Sequence, residues 1–392
     1  MNLKNPTFAN LALYASFLVL GACAPLLGAT LQYLVARYDI PLENGGIFTS
    51  LQFAGATAAV VVFGRLYDRL NTRWLLTVGP VLLALGLLLL ALIEVRELAL
   101  LATFLYGVGY GALVVGPNVL IVVFNPQNPT RALNLLNVFF GIGAIIGPQV
   151  VNLALRLNQI TLAYLMIAAA VLLLLPALWQ ISYRAPARDQ HTPAPTPLSV
   201  LALLPFGALL FVYVGSEIGY SSWFSTQITQ VAGAAASLAT VGISLFWAGL
   251  TLGRMLASAA AVRLSAVQII LLALLSMAGG TALLLSVPES ETIALISAFI
   301  VGMGCGPVFP TALALFGARY PAALGASSGA LIAIANIGGV VLPPLQGRVG
   351  GGENGGMTLV LAATLLMLAL LFTIYRQTRQ IPYAYSKRMV IE

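Results

Sequence analysis

The chain contains twelve apolar stretches that are each long enough to cross a lipid bilayer as a helix. A transmembrane helix needs about 20 apolar residues, whereas a barrel strand alternates apolar and polar residues over about ten. These stretches are continuous and rich in Leu, Ala, Val and Gly, so we predict helices. Only 7% of the residues are charged, against about 25% in a soluble domain. The predicted spans are 10–36, 45–67, 74–94, 98–124, 132–156, 160–182, 199–228, 236–261, 266–287, 292–318, 323–346 and 356–376.

The basic residues are divided unevenly between the two sides of the predicted membrane. With the N-terminus inside, 14 of the 18 Lys and Arg residues fall on one side, and seven of the 11 acidic residues fall on the other. Cytoplasmic loops are enriched in Lys and Arg, so both termini are expected in the cytoplasm and the protein in the cell inner membrane. The net charge of +7 therefore reflects topology and not a nucleic-acid partner. The 14 residues are Lys4, Arg65, Arg69, Arg73, Arg131, Arg184, Arg188, Arg254, Arg263, Arg319, Arg376, Arg379, Lys387 and Arg388.

Several motifs recur after about 190 residues, which indicates two parallel repeats of six spans. A polar, proline-rich stretch at 183–198 separates the repeats and is expected to be a cytoplasmic linker. The predicted bundles are 1–182 and 199–376, followed by a cytoplasmic tail at 377–392. The first span has no cleavage pattern behind it and is expected to be a retained helix. The recurring motifs are Gly64-Arg65 with Gly253-Arg254, Gly116-Pro117 with Gly306-Pro307, and Gly143 with Gly338.

The chain has too few cysteine and histidine residues for a metal site, and it lacks the motifs of nucleotide-binding and hydrolytic sites. Cys23 and Cys305 lie inside predicted helices as small apolar residues, and the single histidine, His191, lies in the linker. No P-loop or Ser/His/Asp arrangement can be assembled. We therefore expect no metal, no cofactor and no enzymatic activity.

Glu217 is the only acidic residue well inside a predicted span, and no Lys or Arg lies near the middle of one. A charged carboxylate at the bilayer centre costs several kcal/mol unless it faces a cavity. Helical spacing places Tyr220, Ser221, Phe224 and Gln227 on the same face. Three roles stay open for Glu217: it accepts hydrogen bonds from substrate hydroxyls, titrates as the proton-coupling site, or binds a helix end.

Other polar and aromatic residues within the spans are candidates for lining a central substrate site. Tryptophan can stack on the apolar face of a sugar while its indole N–H donates to a hydroxyl, and asparagine offers both a donor and an acceptor. The alternative is that the asparagines join helices and the tryptophans pack. Besides Glu217, the predicted substrate-binding residues are Tyr220, Trp223, Gln227, Asn118, Asn137, Trp247 and Asn336.

These motifs resemble the major facilitator superfamily over the whole chain. Several stretches are similar to the fucose–glucose–galactose proton symporter group, which includes fucose permease. The superfamily's loop motif is represented by Gly64, Asp68, Arg69 and Arg73, although Asn71 replaces its usual small glycine. The group's stretches are Asn134-Leu135-Leu136-Asn137, Gly141 to Ile146, Tyr213 to Glu217, Ser244 to Gly249 and Pro307 to Thr311.

The resemblance implies a fold of two six-helix bundles related by a pseudo-twofold axis, in which Asp68, Arg69, Arg73 and Arg254 gate alternating access. It also implies a single-chain carrier without a cofactor. The alternative for the gating residues is that they only anchor the topology.

Departures from fucose permease leave the substrate open. Leu113 and a position near Gly28 replace its two acidic residues, Phe140 stands where it has Asn, and Glu217 stands where it has Gln. We expect a carrier of a small polar solute, most simply a sugar, with proton symport through Glu217 ahead of passive uniport. A second hypothesis is that the protein exports an amphipathic compound or lipid, and a third is that it is a sensor with a transporter fold.

Overall fold

The computed structural model describes residues 6–67, 71–183, 200–320, 324–350 and 355–378, which are almost entirely helical. The first half forms α1 (Pro6–Cys23), α2 (Leu26–Ala29), α3 (Leu31–Arg37), α4 (Gly46–Tyr67), α5 (Thr72–Leu92), α6 (Arg96–Phe124), α7 (Pro129–Arg156), α8 (Thr161–Leu173) and α9 (Leu175–Trp179). The second half forms α10 (Val200–Gln230), α11 (Ala236–Ala260), α12 (Ala266–Ser286), α13 (Glu291–Arg319), α14 (Leu324–Gly350) and α15 (Gly355–Thr378).

The described residues contain twelve segments that are long and apolar enough to cross a membrane. The predicted all-α membrane fold with two six-helix bundles is therefore confirmed. The first span combines α1 and α2, and the sixth combines α8 and α9. Apart from Tyr183, the predicted linker lies outside the described residues, as does most of the predicted tail.

The internal repeat is visible in how two matching glycines pack. A methyl group placed on Gly143 in α7 would lie 1.8 Å from the carbonyl oxygen of Leu18 in α1. One placed on Gly338 in α14 would lie 1.9 Å from the carbonyl oxygen of Phe211 in α10. Only glycine allows backbones this close, which is how small residues bring membrane helices together. Both bundles therefore use the same glycine-mediated contact at the position that the repeat predicts.

The first span is interrupted near its centre because Pro25 has no N–H group. The helix α1 ends at Cys23, and α2 begins at Leu26. The hydroxyl of Tyr106 in α6 donates to the Cys23 carbonyl oxygen at 2.7 Å. An unpaired backbone carbonyl in lipid costs several kcal/mol, so this bond stabilises the break.

The bundles are hydrogen-bonded to each other near one side of the membrane. We call this side the acidic face, because its loops carry Asp39, Glu43, Glu94 and Glu289, and the opposite side the basic face. Six hydrogen bonds join described residues of the two bundles in the acidic half. These bonds join Ser225 to the Gly28 carbonyl at 3.0 Å, Thr49 to Ser222 at 3.3 Å, Gln149 to Ser244 at 2.9 Å, Ser244 to the Ile145 carbonyl at 2.7 Å, Gln32 to Thr229, and Ser50 to the Val340 carbonyl.

One of these bonds depends on a proline in the opposite bundle. Pro344 lies inside α14 and cannot donate to the carbonyl oxygen of Val340, four residues earlier. The hydroxyl of Ser50 in α4 donates to that oxygen across the interface. The proline therefore leaves an acceptor that the other bundle satisfies across the interface.

We predict that Ser50→Ala destabilises the protein by about 1 kcal/mol, the usual net worth of one hydrogen bond. In a Pro344→Ala background the Val340 carbonyl regains its helical donor, so Ser50→Ala should then cost close to nothing. Thermal unfolding of the four variants in detergent measures this cycle.

Thr57→Ala is the matched control, because the Thr57 hydroxyl bonds to the Phe53 carbonyl within α4 at 2.7 Å. Its cost should be equal in both backgrounds. An equal cost of Ser50→Ala in both backgrounds would contradict the role given to Pro344.

Candidate functional site

A narrow cavity lies between the two bundles in the acidic half of the membrane, and both bundles contribute to its walls. The N-terminal bundle supplies the break in the first span together with α4, and the C-terminal bundle supplies α10 and α11. Its lining residues are Ala24, Pro25, Leu27, Gly28, Thr49, Gln52, Phe53, Ile218, Ser221, Ser222 and Trp247.

The polar groups of this cavity are neutral hydroxyls and one amide. Gln52 is 4% exposed, and Thr49 shares a hydrogen bond of 3.3 Å with Ser222. Ser221 lies beside Ser222 on α10 and is equally buried. None of the described residues that line the cavity is charged. This chemistry suits an uncharged solute that carries hydroxyl groups.

Trp247 brings an unused hydrogen-bond donor to the cavity. Its side chain is 3% exposed, and its indole N–H has no partner. The ring packs edge-on against Phe246, with centroids 5.7 Å apart, and against Phe140 of the other bundle at 6.1 Å. A buried indole N–H normally finds a partner, so this donor is unsatisfied among the described residues, on a tryptophan that lines the cavity.

Glu217 lies next to the cavity-lining residue Ile218 and is 8% exposed. The Tyr213 hydroxyl, one turn earlier on α10, donates to the Cys305 carbonyl oxygen at 2.8 Å, and the Glu217 carboxyl interacts electrostatically with Tyr213 and Arg254. It also acts electrostatically on Tyr110 of α6, in the opposite bundle. The only ion pair within 4.0 Å among the described residues is Arg96–Glu97, so Glu217 and Arg254 are not in direct contact.

Three residues of α10 that were predicted to bind substrate do not line this cavity. Tyr220 is fully buried inside the C-terminal bundle, where its hydroxyl bonds to Ser297 at 3.0 Å. Trp223 donates its indole N–H to the Pro343 carbonyl at 2.8 Å. Trp223 and Gln227 line a second small cavity within the C-terminal bundle. Neighbours on a helix are about 100° apart, so Tyr220 points away from the cavity that Ser221 lines.

The three predicted asparagines do not line the cavity either. Asn118 donates to the Val114 carbonyl of its own helix at 2.9 Å. Asn137 is exposed and donates to the Leu133 carbonyl at 2.9 Å. Asn336 is half-buried in α14. Their substrate contacts stay predictions.

The predicted gating residues make contacts within their own bundles where they are described. Asp68 and Arg69 lie outside the described residues. The guanidinium of Arg73 stacks over Trp179, 5.2 Å from the ring centre. Arg254 donates its Nε to the Gly306 carbonyl at 3.3 Å. The gating role of all four therefore stays a prediction.

Asn71, which replaces the usual glycine of the loop motif, has a local structural role. Its side-chain oxygen accepts from the Arg73 backbone N–H at 3.0 Å, which caps the start of α5. Its amide donates to Ser182 at 3.0 Å, and the neighbouring Thr72 bonds to the Tyr183 backbone. The start of α5 is therefore hydrogen-bonded to the segment that leads into the predicted linker.

The sequence analysis missed Thr49, Gln52 and Ser222 as cavity residues. Thr49 and Gln52 are three residues apart in α4 and therefore share one helix face. That polar pair within an apolar span was a usable signal. The sequence gives no comparable signal for Ser222, because a serine in a membrane helix can also hydrogen-bond to the backbone of its own helix.

Comparison with known proteins agrees with this architecture. The sequence profile of the Major Facilitator Superfamily matches residues 7–343. The chain belongs to this superfamily. It is therefore a multi-pass membrane transporter, and the transporter prediction is confirmed.

The glucose/galactose transporter of Brucella abortus biovar 1 is 25% identical over 380 residues, covering 88% of each chain. The sodium-dependent glucose transporter 1A of Mus musculus is 23% identical, covering 86% of this chain and 89% of the relative. The solved structure of the superfamily transporter FucP in the outward conformation has a TM-score of 0.64 at 20% identity, covering 94% of this chain and 98% of FucP. The resemblance to the fucose–glucose–galactose group is thereby confirmed.

We predict that Trp247→Phe weakens substrate binding about tenfold, the equivalent of one lost hydrogen bond of ~1.4 kcal/mol, with little loss of stability. The phenyl ring keeps the aromatic contacts and removes only the N–H group. Calorimetric titration with hexoses and thermal unfolding measure the two effects.

Trp223→Phe is the matched control. It should lower the unfolding temperature and leave affinity nearly unchanged, because it leaves the Pro343 carbonyl without its donor. Equal affinities for wild type and Trp247→Phe would remove Trp247 from the site.

Proposed function

We propose that the protein carries a small neutral solute with several hydroxyl groups, most simply a hexose, across the membrane by alternating access. The observation that carries the proposal is the buried, unpartnered indole N–H of Trp247 on a cavity between the two bundles. Superfamily membership makes such a cavity the place where a solute would bind. The relatives named as glucose transporters support a sugar over other neutral solutes.

The chemistry of the cavity supports a polyhydroxylated ligand. Thr49, Ser221 and Ser222 each donate and accept, Gln52 offers an amide, and the Trp247 ring offers an apolar face. A site built to hydrogen-bond hydroxyl groups rejects analogues that lack them, because its buried polar groups would then stay unpaired. We therefore expect the carrier to distinguish sugars from apolar compounds of equal size.

We further propose that transport is coupled to protons through Glu217. A carboxylate is costly inside a membrane, and the buried Glu217 carboxyl interacts electrostatically with Tyr213, Tyr110 and Arg254. Glu217 would take a proton from water on one side and return it to water on the other.

In the proposed cycle the structure corresponds to a state closed at the acidic face. The bonds that close this face join four pairs of spans across the bundle interface. In the other state these contacts would separate while the basic face closes. The distribution of Lys and Arg supports the basic face as the cytoplasmic one. We propose that one chain performs the whole cycle.

We predict that Glu217→Gln abolishes proton-driven accumulation of hexoses in proteoliposomes while exchange of sugar across the membrane is retained. The amide cannot release a proton, but it can still bind a hydroxyl group. Uptake of labelled glucose, galactose, mannose and fucose is measured with a proton gradient, a sodium gradient or no gradient. The sodium arm is included because one relative is named for sodium dependence.

Glu97→Gln is the matched control, because Glu97 is an exposed acid paired with Arg96 at the acidic face. It should transport like wild type. Equal uptake by the wild type under all gradients would establish a uniporter. Accumulation driven only by sodium would transfer the coupling to that ion.

Export of an amphipathic compound is the second candidate, because aromatic rings lie at the bundle interface. Phe53 lines the cavity, and Phe140 packs against Trp247. Stabilisation of the purified protein by apolar ligands, without any effect of hexoses, would favour this candidate. Specific binding without movement of any solute would favour a sensor.

We predict that Gly28→Val prevents closure of the acidic face and stops transport. A methyl group on Gly28 would lie 2.7 Å from the Ser222 Cα and 3.0 Å from the Ser221 carbonyl oxygen, and backbone cannot move aside easily. A cysteine introduced at Thr229, where Gln32 bonds across the interface, should then react faster with impermeant thiol reagents. The assay uses a chain with Cys23 and Cys305 replaced by alanine.

Gly279→Val is the control, since a methyl group there meets no atom within 4 Å. Normal transport by Gly28→Val would show that the contact with Ser222 is not required for the cycle.

A further inference from the structure

The second cavity lies inside the C-terminal bundle, and the residues that line it all belong to that bundle. The centre of a water molecule can occupy about 10 Å³ of it, which is the room that one buried water needs. None of the described residues that line it is charged. The cavity therefore suits one small neutral molecule and is far too small for a sugar. Its lining residues, from α10, α14 and α15, are Trp223, Thr226, Gln227, Gln346, Gly347, Gly356 and Met357.

Thr226 brings an unsatisfied hydroxyl group to this cavity. Its side chain is 1% exposed, and its Oγ1 is bonded to none of the described residues. The other seven buried threonines among the described residues are all bonded, four of them to the carbonyl oxygen four residues earlier in their own helix. A helical threonine commonly satisfies itself in this way. The Thr226 hydroxyl does not bond to the carbonyl of Ser222, so it needs a partner from outside its helix.

Gln346 brings an unsatisfied acceptor, and a hydrogen bond at the other end of its amide fixes which atom that is. Its side chain is 1% exposed, and its Nε2 donates to the Gly356 carbonyl oxygen at 3.0 Å. Because a carbonyl only accepts, the NH₂ group must face Gly356 and Oε1 must be the other end. Oε1 has no partner among the described residues. The amide fits against α10 because Gly219 has no side chain, and a methyl group there would collide with Oε1.

One small molecule that both donates and accepts would satisfy the two groups together. The Gln346 Oε1 needs a donor, and the Thr226 hydroxyl can bond to either a donor or an acceptor. Buried waters typically make about three hydrogen bonds to polar groups of this kind. A cation would also be attracted by two oxygens, but no carboxylate lines the cavity, and an uncompensated charge is costly inside a protein. The chemistry therefore favours a neutral ligand.

We propose that the second cavity binds one structural water molecule, which bridges the Thr226 hydroxyl of α10 and the Gln346 amide oxygen of α14. This inference goes beyond the proposed function and does not depend on it. The water joins two helices of one bundle, so a rocking motion between the bundles leaves its site intact. It should therefore stay bound whether or not a hexose is present.

Thermal unfolding of Thr226→Val in detergent tests the proposal through the sign of its effect. Valine keeps the shape of the side chain and removes the hydroxyl group. With a water bound, the substitution removes one of its partners, so the unfolding temperature should fall by about 2 °C. Without a bound molecule, the substitution would replace an unsatisfied polar group by an apolar one. An unchanged or raised unfolding temperature would therefore overturn the proposal.

Thr364→Val is the matched control, because Thr364 is also fully buried in the C-terminal bundle and its hydroxyl bonds to the Val360 carbonyl of its own helix at 2.8 Å. Each valine variant is combined with Gln346→Met. The effects of Thr226→Val and Gln346→Met should add to clearly less than their sum, because either one alone breaks the bridge. The effects of Thr364→Val and Gln346→Met should be additive. Additivity in both pairs would overturn the bridge.

A direct measurement identifies the bound molecule. An experimental structure at a resolution that shows waters should have one density peak within hydrogen-bonding distance of Thr226 Oγ1 and Gln346 Oε1, with and without glucose. The unfolding temperature should be equal in sodium, potassium and choline chloride of the same concentration. A rise that is specific to sodium or potassium, and that Thr226→Val abolishes, would replace the water by a cation and overturn the proposal.

Discussion

A backbone carbonyl that loses its helical partner inside a bilayer needs another donor, and much of this structure follows from that constraint. Pro25 separates α1 from α2, whereas Pro310 and Pro344 lie within continuous helices, and near each of the three a side chain from another helix donates to a backbone carbonyl. Tyr106 serves the break at Pro25 within the N-terminal bundle, and Arg254 serves Pro310 within the C-terminal bundle. Ser50 serves Pro344 across the interface. Side-chain hydrogen bonds to backbone carbonyls thus occur within each bundle and also between the two bundles.

The charged residues of the membrane interior are distributed unevenly between the two bundles. Where the resemblance to fucose permease leads one to expect an acid in the first span, Gly28 lies against the Ser222 backbone, and a side chain has no room. Leu113, at the second expected position, is buried in apolar packing. The interior charge that remains is on the C-terminal bundle, at Glu217 and Arg254. The N-terminal bundle contributes mainly neutral surface to the cavity.

The sequence predicted the spans and the repeat well, because long apolar runs and matched glycines are strong signals. It did not predict which residues line the cavity, apart from Ser221 and Trp247, for three physical reasons. A helical stripe is wide enough that Tyr220 at its edge enters the core while Ser221 lines the cavity. Asparagine can bond to its own helix, as Asn118 and Asn137 do. Residues from distant spans meet only after folding, so Thr49 was not recognised as a partner of Ser222.

The contacts between the bundles in the acidic half are made by hydroxyls, amides, backbone carbonyls and glycines, and none of the hydrogen bonds given above involves an ionisable group. Such contacts keep the same free energy when the pH or the ionic strength of the outer medium changes, because salt screens charges and protons titrate acids and bases. The stability of this half of the interface should therefore depend little on the composition of the surrounding solution.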